Sequence, residues 1–270
     1  MSIMLAGKLI LSAKLVELLL GFSLIIQTLE YLKLLPWTVE GGIWDWRIQR
    51  FDIPPSAPLI AALLDFIFIS ANYKILLISR LLCGISLMTM GVNPVSAWFL
   101  LFTNLLLLIR WRGAFNGGSD FMTLVLTCGL TLGQSIGLFE GEAMGWVAAL
   151  WYICIHSITS YFMSGWVKLL NGSWRRGVSL PIFLNTGVFG PLPANSIFNK
   201  PWFSSLCSWT FILWEAGMPL SLISFEIAMI FCAAAVVFHF LVFWFFGLNR
   251  FFWAWVTSLP AILYCSTWKW

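Results

Sequence analysis

Long apolar runs separated by short polar or Gly/Pro-containing turns make up most of this chain. A helix needs about 20 apolar residues to cross roughly 30 Å of hydrocarbon. On that template the runs at 12–35, 75–91, 95–110, 120–139, 143–166, 202–223, 225–246 and 250–267 each predict a span. The run at 57–71 is shorter and contains Asp65, so it predicts either a half-embedded helix or a ninth crossing. The pattern therefore predicts an all-α fold, a polytopic transmembrane helical bundle of 8–9 membrane helices in a single domain, 1–270.

Two connections exceed a turn. The segment 36–57 carries Trp37, Trp44 and Trp46 and predicts an external, Trp-rich interfacial loop, because indole N–H groups favour the boundary between lipid and water. The segment 167–201 is broken by Gly and Pro yet too apolar to float free. It predicts a cytoplasmic-side or re-entrant loop with a short amphipathic helix near 178–185.

Composition agrees with a membrane location. Of 270 residues, 60% are hydrophobic and 10% charged, with 17 Trp and 24 Phe and a mean hydropathy of +0.91. A soluble domain carries about 25% charge. The net charge of +4 suggests no nucleic-acid partner and matches a modest excess of basic loop residues. The start of the chain, with Lys8 and Lys14 before an apolar run interrupted by Glu17, reads as a signal anchor. The cysteines at 83, 128, 154, 207, 232 and 265 sit in apolar runs without metal-ligand spacing, so they read as small hydrophobes and no metal site is predicted.

Charge also bears on topology. If 57–71 crosses, Lys8, Lys14, Lys74, Arg110, Arg112, Lys168, Arg175, Arg176, Lys200 and Arg250 share one side. The other side then receives Glu40, Asp45, Asp52, Glu140, Glu142 and Glu226 with few bases. The positive-inside bias accordingly favours nine crossings over eight, with a cytoplasmic N-terminus.

The remaining ionisable residues lie inside apolar runs, where each costs about 2.5–3.5 kcal/mol at a helix centre and so needs a partner, a wet cavity or a function. They are Glu17, Asp65, Arg80, His156, Lys168, Glu215 and His239. Glu17 and Arg80 lie near helix ends, where snorkelling or mutual pairing suffices. Asp65 reads equally as a partner of Arg80 or Lys74 and as a functional group. Glu215 precedes Pro219 by about one turn and can face freed peptide groups or a cavity. His156 and His239 read as structural or catalytic. A straight helix separates His156 from Lys168 by about 18 Å. Lys168 follows Ser164 and Gly165, which permit close helix packing. A partly buried lysine sheds its proton readily and can act as a base; alternatively, it snorkels beside Arg175 and Arg176.

The block YFMSGWVKLLNGSWRRGVSL, with Tyr161, Phe162, Gly165, Lys168, Leu169 and Trp174, resembles the signature of the HTTM domain. That membrane domain is shared by vitamin K-dependent gamma-carboxylases and many small bacterial proteins. Three further blocks resemble the family in order: the Arg-containing helix end followed by Asn116, Gly117, Gly118 and Asp120, the Glu-and-Pro helix TFILWEAGMPL, and the His-bearing helix VVFHFLVFWFF. The resemblance covers about residues 75–267 and is closer to small bacterial members, which lack the carboxylases' external domain. It implies that Lys168 occupies the position of the family's base, that Glu215 and His239 are further candidate catalytic residues, and that a lipid-soluble quinone is the cofactor or substrate. The Gly118–Ser119 region stands where the carboxylases carry a second important His.

Two classes of function follow from the residues and the resemblance. One is a membrane enzyme or peptide/protein maturation factor in the bacterial inner (plasma) membrane, acting on a quinone-like or peptide substrate near Lys168. The other is a non-catalytic subunit or scaffold that binds lipid, quinone, pigment or partner helices. Membrane lipid is a partner in either case, with a membrane or soluble protein as a further one. A transporter is less favoured, because no inverted repeat is visible.

Overall fold

The computed structural model describes residues 3–53, 57–112, 117–187 and 190–268, and all regular elements among them are helical. In chain order these are α1 (Ile3–Leu34), α2 (Trp46–Gln49), α3 (Pro58–Phe68), α4 (Ser70–Met90), α5 (Pro94–Trp111), α6 (Gly117–Glu140) and α7 (Glu142–Leu170). There follow α8 (Gly172–Arg175), α9 (Ser179–Asn185), α10 (Pro201–Ala216), α11 (Phe225–Phe246), α12 (Asn249–Val256) and α13 (Leu259–Cys265). Six of them, α1, α4, α5, α6, α7 and α11, are long and apolar enough to cross a membrane. Asn116 and Lys269 lie outside the described residues, as do 54–56 and 188–189 of the two long connections.

Local sequence explains where the long helices stop. Asn93 caps α5 reciprocally with Ser96, and Pro94 fills the first helical position, where no donor is needed. Ser224 accepts from the backbone N–H of Ile227 at the start of α11, and Gly247 closes that helix in a left-handed conformation.

Packing is closest between α6 and α7, which run antiparallel. A Cβ on Gly133 would stand 2.7 Å from both the Ala149 Cβ and the Gly145 carbonyl oxygen, so the small residues set the approach. Helix α1 lies against α4 in the same way, with Gly21 facing Gly84. At one end of this pair Glu17 accepts from the backbone N–H of Val92 at 2.7 Å. At the other end Tyr31 stacks on Trp111, whose indole donates to the Tyr73 hydroxyl at 2.8 Å.

Several expectations are corrected. Helix α3 is 11 residues, about 16 Å, too short to cross. Its Asp65 accepts from the Trp46 indole at 2.8 Å and pairs with Arg50 at 2.7 Å, rather than with Arg80 or Lys74. Phe68 packs on Trp46 and Tyr73, so α3 stays at the end of the bundle occupied by the 36–53 connection. The charge sorting that required a ninth crossing therefore loses its basis.

The run 202–223 is not one helix. Helix α10 ends at Ala216, and Met218–Leu222 continues as a 3-10 turn containing Pro219, which cannot donate to the preceding turn. The run 250–267 divides at Thr257–Ser258, ahead of Pro260 at the start of α13.

Glu17 and Arg80 do not snorkel or pair with each other. Arg80 is fully buried and donates to the side chains of Gln27 (2.8 Å), Thr103 (2.8 Å) and Asn104 (3.1 Å), and to the Leu100 carbonyl (3.3 Å). Hydrogen bonds to a charged group contribute about 1.5–3 kcal/mol each, enough together to offset a guanidinium's removal from water. Gln27 bridges Arg80 to Asp120 (3.0 Å), which also accepts from Tyr31 (3.1 Å) and faces Arg250 (3.5 Å). Arg250 reaches Glu30 at 2.9 Å. Alternating charges thus tie α1, α4, α5, α6 and α12 together.

Candidate functional site

Helix α7 places Tyr161, Ser164, Gly165 and Lys168 on one face, since residues three, four and seven apart share a side of a helix. Helix α10 crosses this face at Gly165. A Cβ there would overlap the backbone nitrogen of Ala216 and lie 2.8 Å from the Glu215 carbonyl carbon, so only glycine allows the contact. The approach brings the Lys168 amine 2.5 Å from Glu215 Oε2, while the same amine donates to Ser164 Oγ at 2.6 Å. The two side chains are 16% and 3% exposed, and the ammonium also lies 5.4 Å from the centre of the Trp174 ring. The ion pair is therefore largely shielded from water.

Beside it, Tyr161 and His239 meet at 2.7 Å between the hydroxyl and Nε2. We assign the hydroxyl as donor, which leaves Nε2 as acceptor and puts the ring proton of neutral His239 on Nδ1. The His239 ring stacks on Trp255, with ring centres 5.2 Å apart. Both His239 Nδ1 and Trp255 Nε1 are buried and without a hydrogen-bond partner among the described residues. Unsatisfied buried donors are uncommon and call for an explanation.

One cavity of about 330 Å³ joins these groups. Lys168, Glu215, His239, Tyr161, Ser164 and Trp255 supply its polar wall, and Phe121, Val125, Phe238 and Phe251 its apolar wall. All three residues singled out in the sequence, Lys168, Glu215 and His239, thus line the same space. Gly118 lines it too, and a Cβ there would stand 2.7 Å from the Phe251 ring. An apolar chamber with a few convergent polar groups is the usual form of a small-molecule site.

No family model, curated protein or solved structure matches this chain.

His156 lies elsewhere. Its ring is on an exposed part of α7, stacked on Tyr152 and bonded through Nδ1 to the Tyr152 carbonyl at 2.9 Å. Tyr161, Ser164 and Trp255 are not among the candidate catalytic residues of the sequence, where Tyr161 belongs to the HTTM-like block and Ser164 reads as a packing residue. Tyr161 and Ser164 carry a signal there, because they precede Lys168 by seven and four positions. Trp255 carries none among 17 tryptophans.

Proposed function

We propose that this integral membrane protein is an HTTM-type membrane enzyme or peptide/protein maturation factor whose chamber takes a lipid-soluble substrate. The observation that carries this reading is the Lys168–Glu215 pair at 2.5 Å on the wall of a cavity that joins a few polar groups to an apolar lining. Within such a wall the proton on Lys168 Nζ can pass to Glu215 Oε2, giving a neutral amine and a neutral acid. A medium of low polarity penalises the ionised pair more than the neutral one, which brings the two states closer in energy. The neutral amine is then a base positioned against the substrate, and Glu215 holds the proton until turnover ends. His239 Nδ1–H and Trp255 Nε1–H, both buried and unpartnered among the described residues, are the donors we assign to an acceptor oxygen, such as that of a quinone or a peptide carbonyl.

We also propose eight crossings, with α10 plus its 3-10 turn and α12 plus α13 serving as the two broken ones. The end of the bundle that holds the 36–53 connection carries Arg47, Arg50, Lys74, Arg110, Arg112 and Arg250, whereas Glu17, Glu140 and Glu142 accompany only Lys8 and Lys14 at the opposite end of the described residues. With α3 not crossing, the positive-inside rule assigns the Arg-rich end to the cytoplasm and both termini to the other face of the inner membrane. This reverses the orientation drawn from charge alone.

The test is extraction of the full chain into lipid nanodiscs, followed by mass spectrometry of the small molecules it retains. A lipid-soluble compound held at fixed ratio by the native chain and lost from His239→Ala supports the reading. Recovery of bulk membrane lipid alone, in the same proportions from both proteins, overturns it. If the compound is retained but Lys168→Met leaves the biological activity unchanged, the chain is a binding subunit and not an enzyme.

A further inference from the structure

A second cavity, of about 500 Å³, opens between α1 and the first turns of α7. Three charged residues, Lys14, Glu17 and Glu142, line it together with Ala6, Ala13 and Trp146. It lies where the polar turns of this end of the bundle begin. Glu17 accepts from Val92 in the turn between α4 and α5, and Glu142 follows the Gly141 turn between α6 and α7. The alanines leave a slot beside α1, and the buried Trp146 ring forms its inner wall.

We propose that this groove binds a phospholipid whose headgroup carries a primary ammonium, as in phosphatidylethanolamine. The charges select that class. Glu17 accepts from Val92 and also pairs with Lys14 at 3.6 Å, while the Lys14 side chain remains 45% exposed, so its ammonium can meet a phosphate from the open side. Glu142, in the first turn of α7, is exposed. One base and two carboxylates give the groove a net negative charge, which disfavours an anionic headgroup. A phosphate on Lys14 with an ammonium on Glu142 satisfies both. A quaternary ammonium has no N–H to donate to a carboxylate, so phosphatidylcholine lacks half of the match. This site is separate from the chamber at Lys168, and its test does not depend on the function proposed there.

The experiment is lipid exchange of the full-length protein in nanodiscs holding equal amounts of phosphatidylethanolamine, phosphatidylcholine and phosphatidylglycerol, read by native mass spectrometry. The native chain retains phosphatidylethanolamine over each of the others by about fivefold, the effect of one partly exposed charge contact. Lys14→Glu and Glu142→Lys each remove the preference, and the combined exchange restores it, because a zwitterion can bind reversed. Equal retention of all three lipids overturns the proposal, as does a preference for phosphatidylglycerol, which would make Lys14 a general anion contact. If Lys14→Glu does not fold, Glu142→Gln alone decides: an undiminished preference in that variant is equally fatal.

Discussion

Glu215 and Lys168 are 47 positions apart and meet at 2.5 Å because Gly165, one turn before the lysine, has no side chain. The pair is thus a product of helix packing as much as of charge. Replacing Gly165 with Val would force α10 away from α7 and separate the two side chains. Overpacking of this kind costs about 1–3 kcal/mol. The expected result is a lower melting temperature in detergent and loss of the Lys168–Glu215 amide that a membrane-permeant, apolar carbodiimide is expected to form in the native chain, where the pair is shielded from water. Retention of that cross-link in Gly165→Val would show that the glycine does not set the contact.

The pair itself predicts an asymmetry. Removing one partner of a buried ion pair leaves the other charge uncompensated and costs about 3–5 kcal/mol, whereas replacing both with apolar residues is often neutral or stabilising. Lys168→Met and Glu215→Leu should therefore each lower thermal stability strongly, and the double variant should recover most of it. Additive losses in the double variant would mean that the two residues act independently. If the proposed chemistry is right, all three proteins lose activity, so stability and activity part company in the double variant.

Much of the architecture is legible in the sequence, and its failures have physical causes. The apolar runs locate α1, α4 to α7 and α11 because those segments carry few charges and no internal proline. The runs at 202–223 and 250–267 look equally apolar, yet Pro219 and Pro260 interrupt their hydrogen bonding. Hydropathy averages over a proline and does not see it. The same averaging made 57–71 ambiguous, and only the Asp65–Arg50 and Asp65–Trp46 contacts decide its position. In the candidate site, Lys168, Glu215 and His239 stand out because charge is scarce in this chain. Tyr161, Ser164 and Trp255 do not, since aromatic and hydroxyl residues are common in membrane helices and their role depends on which helices meet. In the sequence Arg80 and Arg250 look like end charges and Asp120 like a turn residue, but the fold gathers them into a buried network through Gln27, a neutral residue that charge counting ignores.

That network gives a third prediction. Arg80→Met would leave Gln27, Thr103 and Asn104 without their donor and remove the charge that Gln27 links to Asp120. The expected cost is about 3–5 kcal/mol, as for other broken buried networks. Gln27→Leu should act in the same direction by a smaller amount, because it severs the bridge while leaving both charges in place. Thermal melts of the two variants check this. A null result for Arg80→Met would indicate that the helices pack without the guanidinium.

The loop end of the bundle should respond to acid. Asp45 accepts from the Arg47 guanidinium at 2.9 Å, and from the backbone N–H groups of Gly41 at 3.0 Å and Arg47 at 2.9 Å. The Arg47 side chain, together with these backbone donors, holds the Asp45 carboxyl below the usual carboxylate range. A carboxyl whose value is lowered on folding stabilises the fold above its unfolded value, about 3.9 for Asp, and that contribution is lost as pH falls toward the folded value. The 41–47 turn should therefore be intact at neutral pH and loosen progressively below about pH 4. Hydrogen exchange of its amides, corrected for the intrinsic effect of pH, measures this directly. Asp45→Asn should exchange faster at neutral pH and show a weaker acid response. An acid response of native size in Asp45→Asn would assign the titration to another group, such as Asp65 beside Arg50.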